Sequence, residues 1–242
     1  MTTGLLLVHA FPVDAQMWAG QLGGPHTIAP DLPGFGGSAP AEDGVMTMEA
    51  GARRCLDALD AAGLDDAVVC GLSMGGYVAF ELWRRAPERV AGLVLANTRA
   101  GADTPEAAEA RRTLAARLRT EGNVLVGSPP PLLSDDASVD LWETVRGWIE
   151  DQPAEAIAAA ALGMAERPDS TPDLETIGVP TLVITSDRDT LIPADVTSPM
   201  ADLIPGAWLA VLPGAGHLSN VEDPDGFSRL LDEHLERCDA GR

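Results

Sequence analysis

The chain has 242 residues, of which 45% are hydrophobic and 22% charged, a balance that predicts one ordinary globular domain with an insertion. Its formal charge of −21 argues against binding to nucleic acids or to anionic membrane surfaces, which carry charge of the same sign. All 16 basic residues are arginines, which excludes chemistry that needs a lysine amine, such as Schiff-base formation or phosphate binding in a P-loop.

The three cysteines, Cys55, Cys70 and Cys238, have neither the number nor the spacing of a disulfide framework or a zinc site. The first four residues lack a basic region, and the apolar run Leu5–Val8 is too short for a signal peptide or a membrane span. We therefore expect a protein of the reducing cytoplasm that makes no use of a membrane.

Short apolar runs alternate along the chain with stretches of helical periodicity, which predicts an α/β fold with a largely parallel sheet. The predicted strands are Leu5–Val8, Ala67–Cys70, Leu93–Leu95, Thr181–Thr185 and Trp208–Leu212, with Thr27–Pro30 as a further short strand. The predicted helices are Met48–Ala62, Met74–Arg85, Pro193–Leu203 and Phe227–Arg237.

Residues 99–174 break this rhythm, since they are rich in Ala, Arg, Glu and Pro and show helical pieces without a strand pattern. We interpret them as an inserted helical cap on a core formed by residues 1–98 and 175–242. The prolines of Ser128–Pro131 cannot continue a helix, so the cap should contain at least two helical segments. The run Ala154–Ala161 is typical of a good helix and carries no functional signal.

The most specific motif is Gly71-Leu72-Ser73-Met74-Gly75, which lies between a predicted strand and a predicted helix. That setting is the one a nucleophile elbow requires, because its tight turn needs glycines on both sides of an exposed serine. The alternative is a glycine-rich turn with an incidental serine. The predicted nucleophile is therefore Ser73.

A serine nucleophile needs a base, most often a histidine held by a carboxylate. Of the four histidines, His217 has the expected setting in a glycine-containing loop after a predicted strand. His9 is interpreted as structural, His26 lies in a polar loop, and His234 is predicted on a solvated helical face.

The carboxylate should follow another strand and precede the histidine in chain order. Asp187 and Asp189 both meet that condition after Thr181–Thr185, and either is equally suited to helix capping or to a turn. Two amides should stabilise an oxyanion: Met74, directly after the serine, and Phe11, in the loop after the first strand.

These motifs together resemble the α/β-hydrolase superfamily, in the branch that contains 3-oxoadipate enol-lactonases, small carboxylesterases and metal-free haloperoxidases. The likeness spans nearly the whole chain and is carried by an oxyanion loop, a glycine turn, the elbow and a histidine loop. These are His9–Pro12, Ala29–Ser38, Gly71–Gly75 and Gly216–Glu222 with Pro224.

In that family the acid stands four residues before a proline, so the resemblance favours Asp189 ahead of Pro193, with Asp187 as the fallback. Ala10 departs from the family by replacing a glycine of the oxyanion loop. The antiparallel strands that open the family's sheet are also missing, which implies a trimmed sheet with its edge at Leu5–Val8 or at a nearby strand. A serine nucleophile argues against haloalkane dehalogenase and epoxide hydrolase activity, which use aspartate.

The resemblance implies hydrolysis of a small-molecule ester or lactone through an acyl-enzyme, without a metal or an organic cofactor. Perhydrolysis or metal-free haloperoxidation, with peroxide attacking the same intermediate, and a slow-turnover ligand-binding or signalling role are the alternatives. In the cap, Trp142, Trp148 and Met164 are candidates for the pocket wall, although core packing between helices is the alternative. Arg99 is a candidate for binding a substrate carboxylate, with a structural ion pair as its alternative.

Overall fold

The sheet of the computed structural model, which describes residues 4–24 and 26–240, contains six strands in the order β2-β1-β3-β4-β5-β6. Every neighbouring pair is parallel. The strands are β1 Gly4–Val8, β2 Thr27–Ile28, β3 Ala67–Leu72, β4 Val90–Ala96, β5 Thr181–Ser186 and β6 Trp208–Leu212. Each predicted strand is present, and the edge beside β1 is β2 rather than Leu5–Val8.

Nine α-helices and three short 3-10 turns connect these strands in the described residues. The helices are α1 Met48–Ala61, α2 Met74–Arg85, α3 Pro105–Glu121, α4 Val139–Glu150, α5 Ala154–Ala165, α6 Ala194–Thr197, α7 Pro199–Leu203, α8 Ser219–Glu222 and α9 Pro224–Ala240. The 3-10 turns are Ala15–Trp18, Pro87–Arg89 and Thr171–Thr176. Three of the α-helices, α1, α3 and α4, begin with a side-chain cap. Thr47, Thr104 and Ser138 each accept a hydrogen bond from an amide of the first turn.

The predicted helix Pro193–Leu203 is divided into α6 and α7. Pro199 starts α7, where its missing N–H costs nothing because the first amides of a helix have no acceptor within it. The last helix begins three residues earlier than predicted, at Pro224, for the same reason.

His234 is fully buried, and the prediction of a solvated position was wrong. On α9 it follows Phe227 and Leu231 at helical spacing, so it falls on the face that packs against the sheet. Its Nδ1 accepts a hydrogen bond from Trp208 Nε1 at 3.2 Å. The flanking glutamates, which suggested solvent, lie on other faces of the helix.

Helices α3, α4 and α5 lie between β4 and β5, inside the segment predicted as a cap, and Ser128–Pro131 is not helical. Helix α5 is anchored on the core: the Met46 amide donates to Ala159 O at 3.1 Å, and a Cβ on Gly163 would lie 1.9 Å from Met46 O. The boundaries of the cap at residues 99 and 174 remain predictions. No helix among the described residues is both long and apolar enough to cross a bilayer.

Candidate active site

Ser73 lies in the turn between β3 and α2 with a φ of 56°, a left-handed conformation that is strained for a residue with a side chain. The turn has no room for side chains two positions away. A Cβ on Gly71 would lie 2.2 Å from Gly75 O, and one on Gly75 would lie 2.1 Å from Val8 O. The sequence pattern of the elbow thus matches the geometry that it predicts.

Two neighbours hold the backbone of Ser73 in this conformation. Its N–H donates to Ala96 O at 2.9 Å, and its carbonyl accepts the hydroxyl of Thr98 at 2.8 Å. Helix α2 begins directly afterwards at Met74, so the positive end of its dipole lies at Ser73. A negative charge that develops beside Ser73 is therefore favoured.

His217 and Asp189 form a fully buried pair, in which His217 Nδ1 lies 2.8 Å from Asp189 Oδ2. The carboxylate accepts an amide at each of Leu191 and Ile192, both at 2.9 Å, on its other oxygen. Burial alone would raise the pKa of Asp189, but the hydrogen bonds and the charge of His217 outweigh it, so the pKa lies below its usual value. Asp189 is thus held as an acceptor for the Nδ1–H tautomer of His217.

Asp187, the other candidate acid, is exposed and accepts the Gly214 amide at 2.7 Å. That bond fixes the turn after β6, which is a common use of an aspartate in a loop. The geometry brings His217 together with Asp189 and leaves Asp187 at the surface.

The Nε2 atom of His217 is buried and has no hydrogen-bond partner within the described residues. Ser73 itself is 7% exposed and follows β3, whereas His217 follows β6. Because the carboxyl ends of parallel strands meet at one edge of a sheet, these residues share that edge with Asp189, which follows β5. Among the described residues, Ser73 and His217 are not joined by a hydrogen bond.

The two predicted oxyanion donors lie at the same edge. Among the described residues, the amides of Phe11 and Met74 donate no hydrogen bond, so both remain available to an acceptor. His9, two residues before Phe11, has a structural role: its Nδ1–H donates to Ala10 O at 2.9 Å and its Nε2 accepts the Leu32 amide at 3.0 Å. Burial lowers the pKa of His9.

Asn97 is a site residue that the sequence reasoning missed. It is fully buried after β4, and its amide Nδ2 lies 2.9 Å from Asp189 Oδ2. The only signal in the sequence is an asparagine directly after a strand, which equally predicts a turn. Its partners are distant in the chain, so no local pattern reveals them.

The cap residues differ in burial. Met164 is buried in the hydrophobic core, and Trp142 and Trp148 are partly buried with their side chains packed against that core. Core packing therefore describes Met164 in this structure. A role for Trp142 and Trp148 in the pocket wall remains a prediction.

Arg99 has no ion-pair partner within the described residues, although the chain contains 37 acidic residues. Its Nε is buried and lacks an acceptor. The structural ion pair considered from the sequence is therefore not formed. An unsatisfied buried donor is costly, about 1–3 kcal/mol, so a ligand oxygen at this position would be stabilising.

No group of three His, Cys, Asp or Glu side chains in residues 4–24 and 26–240 is arranged to hold a metal ion. The residues gathered at the carboxyl edge instead offer a hydroxyl, an imidazole, a carboxylate and free amides. This combination suits nucleophilic attack on a carbonyl carbon.

Comparison with known proteins identifies the family and the fold. A sequence model of the α/β-hydrolase family matches residues 5–230. The 2-hydroxymuconate semialdehyde hydrolase of Pseudomonas putida is 29% identical over 231 residues, which cover 88% of this chain and 78% of the relative. The 3-oxoadipate enol-lactonase 2 of Acinetobacter baylyi is 30% identical over 193 residues, covering 74% and 67% respectively.

Among solved structures, a thermophilic esterase from Thermogutta terrifontis with malate bound superposes with a TM-score of 0.93 at 41% identity. The match covers 98% of this chain and 90% of the esterase. Its fold is therefore shared over essentially the whole chain.

Proposed function

This chain belongs to the α/β-hydrolase family, and from that membership we propose that it is a serine hydrolase that cleaves a small carboxylic ester or lactone. The observation that carries the proposal is the buried contact of His217 Nδ1 with Asp189 Oδ2 at 2.8 Å, which leaves Nε2 without a partner. An imidazole held in this tautomer has its basic nitrogen free to accept the proton of Ser73.

In the first half of the reaction, Ser73 Oγ attacks the carbonyl carbon while His217 Nε2 takes the hydroxyl proton. The imidazolium is stabilised by Asp189, which is fixed by the amides of Leu191 and Ile192. The negative oxygen of the tetrahedral intermediate accepts hydrogen bonds from two backbone amides, those of Phe11 and Met74. Collapse of the tetrahedral intermediate expels the alcohol, which receives the proton from His217, and leaves the acyl group on Ser73.

In the second half, His217 takes a proton from a water molecule that attacks the acyl carbon. The same amides stabilise the second intermediate, and Ser73 leaves with the proton from His217. The carboxylic acid is released and the starting protonation states are restored. All these groups belong to the chain, so the proposed reaction requires no metal or organic cofactor.

In its more specific form, the proposal is that the substrate carries a free carboxylate in addition to its ester or lactone group. Arg99 supplies a positive charge that has no acidic partner in the part of the chain that the structure describes. It follows Thr98, whose hydroxyl donates to the backbone carbonyl of Ser73. Support also comes from the Thermogutta terrifontis esterase, solved with the dicarboxylate malate bound, and from the enol-lactonase relative.

The test is intact-mass spectrometry after treatment with a serine-directed phosphonate. We expect one adduct on the native protein and none on Ser73→Ala. Ser38→Ala, which alters a serine of the loop after β2, is the matched control and should keep the adduct. A native protein that forms no adduct, or an adduct that persists on Ser73→Ala, would contradict the proposal.

A further inference from the structure

Asn97 joins the three loops that follow β4, β5 and β6. Its Nδ2 donates to Asp189 Oδ2 at 2.9 Å and to Ser186 Oγ at 2.7 Å, and its Oδ1 accepts the hydroxyl of Ser219 at 2.6 Å. Because a carboxylate only accepts hydrogen bonds, the contact with Asp189 fixes which end of the amide is Nδ2. Every polar atom of the side chain is engaged.

From this arrangement we propose that Asn97 is a positioning residue that fixes the Asp189 carboxylate against His217. The Oδ2 atom of Asp189 is shared by His217 and Asn97, and its other oxygen is held by backbone amides of its own loop. Within the described residues, two side chains from outside that loop hold the carboxylate. One is His217, the proposed base, and the other is Asn97.

A second path of hydrogen bonds leads from Asn97 to the loop of His217. Ser186 Oγ accepts from Asn97 and donates to Gly216 O at 2.5 Å, directly before His217. Ser219, two residues after His217, donates to Asn97 Oδ1. Asn97 is therefore linked to the base loop on both sides of the base, through Ser186 before it and directly to Ser219 after it, and it also binds the acid.

The backbone of Asn97 allows this role to be separated from a role in the turn. Its φ of 44° lies in the left-handed region, which glycine adopts freely, and its N–H donates to Ile184 O at 2.8 Å. A turn residue alone would be replaced by glycine at little cost. Asn97→Gly allows the same backbone conformation and deletes the side chain with its amide group.

The positioning role predicts a change at the hydrogen bond between His217 Nδ1 and Asp189 Oδ2. Without Asn97 the carboxylate is held only by the amides of its own loop, so this bond opens more often and its proton exchanges faster with water. We expect the Nδ1 proton of His217 to exchange at least about tenfold faster in Asn97→Gly than in the native protein. The experiment is an NMR exchange measurement on labelled histidines, with the His217 signal assigned from its loss in His217→Gln.

The catalytic half of the inference rests on the proposed function and is measured separately, with a short-chain p-nitrophenyl ester. We expect kcat to fall about 10- to 100-fold in Asn97→Gly with KM within about twofold, because substrate binding does not depend on the placement of Asp189. Ser38→Ala, in the loop after β2 and outside this hydrogen-bond network, is the control and should change kcat less than about twofold.

Asn97→Asp keeps the size of the side chain and tolerates the left-handed backbone, so it provides a second variant if the glycine variant unfolds. It places two carboxyl groups in contact, one of which holds a proton until the pH rises. We expect activity to decline above that ionisation, where the native activity is level. Thermal unfolding confirms that each variant is folded.

An unchanged exchange rate of the His217 Nδ1 proton and an unchanged kcat in folded Asn97→Gly would overturn the positioning role. A native protein without ester turnover would instead contradict the proposed function, and the NMR exchange measurement would still decide whether Asn97 fixes the pair. The two failures are therefore distinguishable.

Discussion

The carboxylate of Glu222 accepts two hydrogen bonds from Ser134, one from its amide at 3.0 Å and one from its hydroxyl at 2.6 Å. It also accepts the amide of Gly216 at 2.7 Å, directly before His217. One side chain of α8 therefore ties the segment before α4 to the loop that carries the proposed base. The position of His217 therefore depends on Glu222, although Glu222 takes no part in the proposed reaction.

We expect Glu222→Gln to lower the free energy of unfolding by about 1–3 kcal/mol, because one of the bound donors loses its acceptor. The proposed esterase kcat should fall about tenfold as His217 is held less firmly. Urea denaturation and turnover of an activated ester measure the two effects. Ser134→Ala removes only the hydroxyl and should cost about 1 kcal/mol; equal behaviour of Glu222→Gln and the native protein would refute this role for Glu222.

Asp103 forms a buried ion pair with Arg167 at 2.7 Å and a second pair with Arg111 at 2.5 Å. Burial raises its pKa, but the hydrogen bonds and charges of the two arginines outweigh burial, and the pKa lies below its usual value. Asp103→Asn should therefore destabilise the protein by about 3 kcal/mol at neutral pH, since it leaves Arg167 without its counter-charge.

The sign of the pH dependence follows from that lowered pKa. The stability contributed by Asp103 is present above the ordinary carboxyl pKa of about 4 and is lost as the pH falls through the lower pKa of the folded state. The stability gap between native protein and Asp103→Asn should thus be constant from pH 7 to 5 and shrink below pH 4. Glu109→Gln, which alters an exposed pair with Arg112, should stay within about 0.5 kcal/mol throughout.

The buried His234 gives a second loss of stability at low pH, in this case because the fold stabilises the neutral form of the side chain. Burial, aided by the positive charge of Arg237, lowers its pKa to about 4. Because the unfolded chain takes up a proton near pH 6.5 and the folded chain does not, stability should fall between pH 6.5 and 4, by up to about 3 kcal/mol. His234→Gln should reduce this slope in urea unfolding, while His26→Gln, at an exposed position, should leave it unchanged.

The proposed role of Arg99 in binding a substrate carboxylate predicts a preference among substrates. For a p-nitrophenyl ester whose acyl chain ends in a carboxylate, Arg99→Met should raise KM about tenfold, the equivalent of a lost charge-assisted hydrogen bond. For an uncharged ester of the same length, KM should change less than about twofold. Arg99→Lys keeps the charge and should fall between the two; an equal effect on both esters would contradict carboxylate binding at Arg99.

The strands and the elbow were predictable because their signals are local. Ser73 lies between an apolar strand and a helix. The residues two positions away on either side must be glycines because a Cβ at either position would clash with a neighbouring backbone carbonyl. The acid was harder: spacing left Asp187 and Asp189 open, and the structure places only Asp189 against His217. The burial of His234 was missed because the prediction relied on its charged neighbours in sequence. The helical spacing from Phe227 and Leu231, which places His234 on the buried face of α9, was the better signal.

The hydrogen bonds around Asn97 were beyond sequence reasoning for a physical reason. Asn97 and Ser186 are 89 positions apart, and Asn97 and Ser219 are 122 positions apart. Only the sheet order, which places the ends of β4, β5 and β6 side by side, makes them neighbours. A polar residue directly after a strand of a parallel sheet is thus the signal to examine in similar chains.

The anchoring of α5 divides the segment between β4 and β5 into parts of unequal tolerance to mutation. A side chain at Gly163 would collide with the carbonyl of Met46, and Ala156 already limits the space above Gly34. Random libraries that include α5 should therefore be rich in unfolded members. A search for altered substrate scope has more room on α4, where Trp142 and Trp148 are partly exposed and the backbone of Gly147 has open space beside it.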